Sequence, residues 1–186
     1  PQDPTCQWTH PPRSATLIKE HPIVIDPNIL AAFTNGRTHA ADHMSSCLDD
    51  GYDGWREETV TDLLCQHSKP HVRAIKFNPY QEGKNGIDWL CWWRDRTGSC
   101  FGMLLQAKNL KRQRLRWRIG FDQSNDEGPQ IDQLLASARR FRLPALYMLY
   151  TGPPGYRIGL ACGDEPCPSP CQRCLRASVS VISALT

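Results

Sequence analysis

The chain has 186 residues, of which 40% are hydrophobic, and a formal net charge of +3 at pH 7. Its length and composition predict one domain with one core of ordinary size. A membrane-spanning protein is excluded, because no apolar run approaches the ~20 residues that cross a bilayer, and no signal-peptide core lies near the start. We expect a soluble, cytoplasmic protein with an N-terminal accessory segment (1–54), a core (55–151) and a cysteine-rich C-terminal extension (152–186) packed on the core.

The first elements of the chain follow from apolar spacing. Residues 22–33, PIVIDPNILAAF, form a short apolar piece that we expect to pack on the core as a strand or a helical turn. The segment 56–68 carries apolar residues at helical spacing behind an acidic first turn, which predicts a first helix. Residues 71–77 alternate apolar and polar side chains, as a strand does, and the polar, Gly-bearing residues 78–86 predict a loop.

A hydrophobic hairpin is predicted next, from two apolar segments, 88–93 and 101–107, with a Thr-Gly turn signal between them. If the turn is centred near residue 97, antiparallel pairing sets Asp88 opposite Gln106, because each lies nine positions from that centre. Strand side chains alternate faces with period two, so Lys108 shares a face with Gln106 and with the residue opposite it. The hairpin therefore brings an Asp, a Gln and a Lys together.

A dense positive charge follows the hairpin, with six cations inside eleven residues: Lys108, Lys111, Arg112, Arg114, Arg116 and Arg118. From Arg112 to Arg118 an arginine occupies every second position, which predicts a strand with one basic face and one largely apolar face, a basic β-ribbon inserted in the sheet. A solvated charged face usually explains such a run. Because this one begins at Lys108, we favour guanidinium groups that hold the phosphates of a nucleic acid.

The last part of the core is a second helix and a strand. The segment 128–142 has Pro129 in its first turn, an apolar stripe and basic residues at its end. Residues 145–150, ALYMLY, then predict a buried strand. The resulting αβββαβ order predicts an α/β fold, in which helices flank a mixed central sheet.

The polar trio of Asp88, Gln106 and Lys108 has two interpretations. A carboxylate and an ammonium beside three tryptophans are costly unless they are paired or coordinate an ion. One interpretation is a structural ion pair between Asp88 and Lys108. The other is a divalent-metal site, in which Asp88 and the Gln106 carbonyl bind Mg²⁺ through oxygen and Lys108 faces the attacking water or the phosphate.

The trio resembles the PD-(D/E)XK nuclease superfamily, in particular its restriction-endonuclease-like members with an Mrr-like Gln-x-Lys motif. Asp88 and Gln106-Ala107-Lys108 match that motif, and the helix and strand order can be laid on residues 55–150. The phrases EETVTDLL, NGIDWLCWW, LLQAKNL and QIDQLLASARR are similar to an uncharacterised bacterial domain group within the superfamily. The commonest motif has an acidic residue where this chain has Gln106, so one negative charge is missing.

The resemblance implies a nuclease that hydrolyses DNA with Mg²⁺ or Mn²⁺, held by Asp88, Gln106, the Ala107 carbonyl and a glutamate of the first helix. Glu57 lies on the apolar stripe of that helix, whereas Glu58 points about 100° away. Alternatively, both glutamates only complement the helix N-terminus. The resemblance also implies a restriction or phage-defence role, with a second copy of the chain or a separate partner that recognises the target or activates the enzyme.

Gln130 begins the second helix and has two interpretations. The resemblance implies that it contacts the attacking water, the substrate or Lys108. Alternatively it faces solvent, because the first turn of a helix favours polar side chains generally.

Nine cysteines are present, and four near the end have the spacing C-x4-C-x3-C-x2-C: Cys162, Cys167, Cys171 and Cys174. A Zn²⁺ site there is possible geometrically but unpersuasive, because a tetrahedral site wants two well-formed chelating pairs. An odd cysteine count and no export signal favour thiols over disulfides.

The sequence leaves two functions as alternatives to the nuclease. One is a nucleic-acid-binding module that has lost catalysis, and the other is a zinc-stabilised protein-interaction domain.

Overall fold

The computed structural model describes residues 26–52, 54–113, 116–154, 156 and 178–184. Four helices and eight strands cover most of them. In chain order these are α1 (Pro27–Asp49), α2 (Glu57–His67), β1 (Val72–Lys76), α3 (Pro79–Asn85), β2 (Trp89–Arg94), β3 (Cys100–Gln113), β4 (Arg116–Ile119), β5 (Ser124–Asn125), β6 (Gly128–Pro129), α4 (Gln130–Phe141), β7 (Ala145–Tyr150) and β8 (Val179–Ser183).

The central sheet is mixed and has the order β1-β2-β3-β7-β8, with β4 paired to the far end of β3. β3 and β7 are parallel, whereas the other pairs are antiparallel. Helices α1 and α2 pack on one face, where Val60 and Leu64 meet Leu105. Helix α4 covers the other face, where Leu134 meets Leu104. The prediction of an α/β fold with a mixed, helix-flanked sheet is confirmed.

The hairpin of β2 and β3 has the predicted register. Trp89 pairs with Leu105 across the two strands, so Asp88, one residue before β2, lies opposite Gln106. The turn is fixed by Asp95, whose side-chain Oδ1 accepts hydrogen bonds from the backbone N–H groups of Thr97 and Ser99 at 2.8 and 2.9 Å. The turn thus holds the register that places the polar trio.

Helix α1 differs from the prediction, which had only a strand or a helical turn within 22–33. It runs for 23 residues, and its N-cap is Asp26, whose side chain accepts from the N–H of Asn28. Its buried face is made mostly of small residues. At Gly36 an added Cβ would lie 2.6 Å from the carbonyl oxygen of Leu64, so the backbones of α1 and α2 approach closely there.

The segment 78–86, expected to be a loop, contains helix α3. Asn78 and Gln81 form a capping box, in which each side chain accepts a hydrogen bond from the other's backbone N–H, at 2.9 and 3.1 Å. The helix ends at Gly86, which has a left-handed φ of 67°. An added Cβ at Gly86 would lie 2.6 Å from the Gln130 carbonyl oxygen, so α3 ends directly against the start of α4.

The predicted basic β-ribbon is present, but it consists of two paired strands and not of the single strand expected for 112–118. β3 continues to Gln113, and β4 returns from Arg116. Lys111 lies opposite Arg118, and Arg112 lies opposite Trp117. The run changes direction because β4 pairs back onto β3; Arg114 lies outside the described residues.

The remaining predictions concern the cysteines and the membrane. Cys162, Cys167, Cys171 and Cys174 lie outside the described residues, so the zinc hypothesis stays a prediction. Cys47, Cys65 and Cys91 are free thiols, whereas Cys100 is disulfide-bonded, which differs from the expectation of thiols alone. In the described segments no helix is long and apolar enough to cross a bilayer.

Replacing Gly86 with alanine should destabilise the fold by about 2–4 kcal/mol, because a left-handed φ is costly for any residue with a Cβ and this Cβ would also meet the backbone of α4. Gly51→Ala is the matched control: its φ is +85°, but no atom lies within 4 Å of the added Cβ. It should cost only about 1 kcal/mol. Urea unfolding measures both; equal losses would contradict close packing of α3 on α4.

Candidate functional site

Asp88 is held rigidly where the chain enters β2. Its backbone N–H donates to the carbonyl oxygen of Leu105 at 3.0 Å, and its own carbonyl oxygen accepts from the N–H of Phe77 at 2.8 Å. Its side-chain Oδ2 accepts from the backbone N–H of Ala107 at 2.5 Å. Ala107 therefore contacts Asp88 through its N–H, and the ligand role of its carbonyl oxygen stays a prediction. The Asp88 carboxylate is thus fixed on β3 through Ala107, and its side chain also forms a hydrogen bond with Glu82.

Gln106 is buried, with 1% of its surface exposed. Its Nε2 donates to the carbonyl oxygen of Gly86 at 3.1 Å, and because a carbonyl only accepts, this bond fixes which end of the amide is nitrogen. The amide oxygen, Oε1, is buried and has no hydrogen-bond partner among the residues that the structure describes. Such an orphaned acceptor costs about 1–3 kcal/mol, so its position opposite Asp88 requires an explanation.

Lys108 is also buried, with 5% of its surface exposed. Its ammonium donates to Oε1 of Gln123 at 2.5 Å and to Oε1 of Gln130 at 2.8 Å. Within the described residues it forms no ion pair with Asp88, so the interpretation of a structural Asp88–Lys108 pair is wrong. Burial lowers the pKa of Lys108, and the nearby carboxyl groups of Asp88 and Glu57 oppose that shift.

Gln130 joins the lysine to the acidic side of the site. Its Nε2 donates to Oε1 of Glu82 at 3.1 Å, while its own Oε1 accepts from Lys108. Of the contacts proposed for Gln130, the one with Lys108 is present, and the solvent-facing alternative is wrong. The residue sits at the first position of α4, which Gly86 holds against the end of α3.

Glu57 reaches the site from the first turn of α2. It is half-buried and close to Lys108, and it accepts a hydrogen bond from the backbone N–H of Asn109. Burial raises its pKa, and the positive charge of Lys108 opposes the rise. Glu58 is exposed. The expectation that Glu57 and not Glu58 points inward is therefore confirmed.

Two residues of the site were not predicted. Glu82 lies in the first turn of α3, within hydrogen-bonding reach of Asp88. The capping-box pattern of Asn78 and Gln81 would have revealed this helix, and with it the inward turn of Glu82. Gln123 lies in the segment between β4 and β5, where no periodic pattern or motif marks a residue as functional.

These groups leave Asp88 in an acidic surrounding. Burial, followed by the carboxyl group of Glu82 and, more weakly, that of Glu57, raises the pKa of Asp88 to about 8, although the Ala107 N–H opposes the rise. Three carboxyl groups therefore surround one buried ammonium. In the described part of the chain no three His, Cys, Asp or Glu side chains are arranged to hold a metal ion by themselves. An ion at Asp88 would need the Gln106 oxygen as well.

The described part of the basic ribbon lies beside this site and is open to solvent. Lys111, Arg112, Arg116 and Arg118 are all exposed. The guanidinium group of Arg112 lies over the ring of Trp117, 5.8 Å from its centroid. Trp117 is half-buried against Tyr156, with ring centroids 4.9 Å apart, so it packs between the ribbon and the body of the protein.

Comparison with known proteins gives a family without an assigned activity. The model of one family, described as a family of unknown function, matches residues 29–186 and so spans the core and both flanking helix layers. No curated protein matches the chain.

Asp88→Asn should stabilise the protein at neutral and mildly alkaline pH in EDTA. The folded pKa lies above the ordinary value of 3.8, so between about pH 4 and 8 the folded state keeps a proton that the unfolded state releases. The free energy of unfolding of the wild type therefore falls as pH rises through this window. Asparagine can still accept from Ala107, and we expect a gain on the order of 1–3 kcal/mol at pH 8 and none at pH 4.

The measurement is urea unfolding from pH 4 to pH 8. Asp122→Asn removes an exposed carboxyl group and serves as the control, whose profile should match the wild type. In Asp88→Asn the free energy of unfolding should still fall with rising pH, but less steeply, because the pKa of Glu57 is raised as well. An Asp88→Asn protein that is less stable than wild type at pH 8 would contradict the acidic-cluster account.

Proposed function

The chain belongs to DUF6615, a family of unknown function, and we propose that it is a metal-dependent nuclease of the PD-(D/E)XK type that hydrolyses DNA phosphodiester bonds. The observation that carries the proposal is the buried, unpartnered Oε1 of Gln106 opposite Asp88, next to the buried Lys108. Most buried acceptors in folded proteins have a hydrogen-bond donor, so a buried amide oxygen without one, beside a carboxylate and an ammonium, is a candidate ligand. An oxygen that is left without a donor suits a cation.

The chemistry of these oxygens fits a hard divalent cation. Mg²⁺ binds oxygen, takes few protein ligands and keeps several waters, so Asp88 and the Gln106 oxygen would form a sufficient protein share, with Glu57 as a further ligand. Burial and, after it, repulsion from the neighbouring carboxyl groups raise the pKa of Asp88, and a cation would relieve that repulsion. When bound, Mg²⁺ or Mn²⁺ supplies Lewis-acid stabilisation of charge on the phosphoryl oxygens.

The side chains of the chain itself would position the reactants. Lys108 is held by the oxygens of Gln123 and Gln130, which fixes its ammonium on the acidic side of the sheet without neutralising its charge. A buried, positively charged group beside a phosphate stabilises the negative charge that develops during hydrolysis. Gln130 also contacts Glu82, so α3 and α4 together set the orientation of Lys108.

The basic ribbon would hold the DNA. Its described cations are exposed and follow Lys108 directly along β3 and β4: Lys111, Arg112, Arg116 and Arg118. Contacts of this kind go to phosphates, fix register and carry no sequence information. Target recognition would therefore come from elsewhere, such as a second copy of the chain or a separate partner. We extend the proposal to a role of this protein in restriction or phage defence.

Lys108→Ala should abolish cleavage of plasmid and linear DNA in Mg²⁺ or Mn²⁺, with a loss of at least about 100-fold, because the buried ammonium beside the scissile phosphate is removed. Lys84→Ala, which removes an exposed lysine on α3 that lies over Tyr80, is the matched control and should cut like the wild type. EDTA should stop cleavage by both active proteins.

The same assay separates the nuclease from its first rival. If wild type and Lys108→Ala both shift DNA on a gel and neither cuts with either metal, the protein is a binding module on the same fold. If cleavage survives in Lys108→Ala at the wild-type rate, the assigned site is not the active site.

Arg116→Ala should weaken DNA binding uniformly across sequences, because the exposed guanidinium group would contact a phosphate and not a base edge. The slope of log K against log salt should fall in magnitude by about 1, the loss of one phosphate contact. Arg73→Ala, an exposed arginine on β1, should leave the slope unchanged. Fluorescence anisotropy from about 50 to 200 mM salt gives both slopes; identical slopes would remove the ribbon from the interface.

A further inference from the structure

A cavity of about 450 Å³ opens between the start of α2 and the ribbon end of β3. Its lining includes two aromatic residues, three cations and one amide: Trp55, Tyr156, Arg56, Lys111, Arg112 and Asn109. Its volume falls within the roughly 300–1,000 Å³ of pockets that take small organic groups. Lys111 and Arg112 belong to the basic ribbon assigned to the DNA phosphates, but the aromatic part of the cavity has no role in the proposal above.

Two aromatic rings form a fixed wall of the cavity. The indole Nε1 of Trp55 donates to Oδ1 of Asn109 at 3.1 Å, and the hydroxyl of Tyr156 donates to the carbonyl oxygen of Leu110 at 3.3 Å. The two rings also pack edge to face, with centroids 4.9 Å apart. Both are therefore tied to β3, and neither needs to be ordered when a ligand enters.

Three cationic side chains surround the aromatic wall. Arg56, Lys111 and Arg112 are all exposed, and among the residues that the structure describes none of them forms an ion pair. Exposed cations without a carboxylate partner are free to bind an anion. Aromatic faces beside unpaired cations are the elements with which proteins bind an unstacked base together with its phosphate.

The cavity adjoins the candidate active site. Asn109, whose side chain lines the cavity, directly follows Lys108, and its backbone N–H is bonded to the Glu57 carboxylate. Arg56 precedes Glu57 in the chain. The charge of Lys111 also acts on both Glu57 and Lys108. A nucleotide in the cavity would therefore be near a phosphate bound at the site.

We propose that this cavity binds one unpaired nucleotide next to the scissile phosphate, with its base against Trp55 and Tyr156 and its phosphate held by Lys111 and Arg112. The inference rests on the proposed nuclease function and narrows its substrate to DNA with a single-stranded or flipped nucleotide at that position. A base inside a duplex is stacked and paired, so it cannot enter such a cavity without leaving the helix. A bare phosphate would leave the aromatic wall unused.

The test measures binding in EDTA, so its outcome does not depend on cleavage. Labelled 12-mers of one sequence are compared as single strand and blunt duplex by fluorescence anisotropy, with wild type, Trp55→Leu, Trp55→Phe and Tyr80→Ala. Trp55→Leu should weaken single-strand binding about tenfold, within the roughly 5- to 150-fold that one stacked base supplies, and change duplex binding less than twofold. Trp55→Phe should recover most of the affinity. Tyr80→Ala, an exposed aromatic residue outside the cavity, should match the wild type.

An abasic scan of the single strand tests the same idea without altering the protein. Removing one base at a time should reveal a position at which affinity for the wild type falls about tenfold, and that loss should vanish in Trp55→Leu. If Trp55→Leu fails to fold, the scan with the wild-type protein alone tests the proposal. Equal losses on single strand and duplex, or a flat abasic scan, overturn the proposal.

The two proposals fail in different ways. If DNA is cut in Mg²⁺ but the abasic scan is flat, the nuclease stands and the nucleotide cavity falls. If the scan shows the expected position but no metal supports cleavage, the cavity stands as a single-strand binding site and the nuclease falls.

Discussion

A buried ammonium among three half-buried carboxyl groups at the end of a hydrophobic hairpin costs several kcal/mol unless each group is held in place. Each neighbouring helix or strand supplies one side chain that holds these groups in place. α2 supplies Glu57, α3 supplies Glu82 and α4 supplies Gln130, while β3 carries Lys108. Since each element completes contacts made by another, none of them can shift alone without leaving a buried polar group unpaired. The packing of the helices on the sheet and the arrangement of the site therefore depend on each other.

The elements that the sequence predicted are those with a strong period or a firm turn. The register of β2 and β3 follows from a single assumption, that the turn is centred near residue 97. α1 escaped prediction because its buried face is made of residues such as Ala32, Gly36 and Ala40, which pack by close approach and give little apolar signal. The basic ribbon was predicted, but as one strand, because alternation along a basic run does not reveal where the chain turns back.

The candidate site was predictable only where its residues share a local pattern. Gln106 and Lys108 stand two apart on one strand, and Asp88 is tied to them by the hairpin, so spacing alone brings them together. Glu82 depends on recognising a seven-residue helix, and the segment's polar composition concealed it. Gln123 meets Lys108 through tertiary folding over 15 positions, which no periodicity encodes. Contacts of that kind need the fold before they can be inferred.

The missing negative charge at Gln106 changes meaning once Glu82 is included. From sequence alone, an amide in place of an acidic ligand leaves the proposed metal site one charge short. In the structure Glu82 already lies beside Asp88, and Glu57 is near. A carboxylate at 106 would add a fourth acidic group to a cluster in which burial and then repulsion already raise the pKa of Asp88. An amide supplies the same oxygen donor without that repulsion. The acidic partner, in this proposal, has moved from the strand to α3.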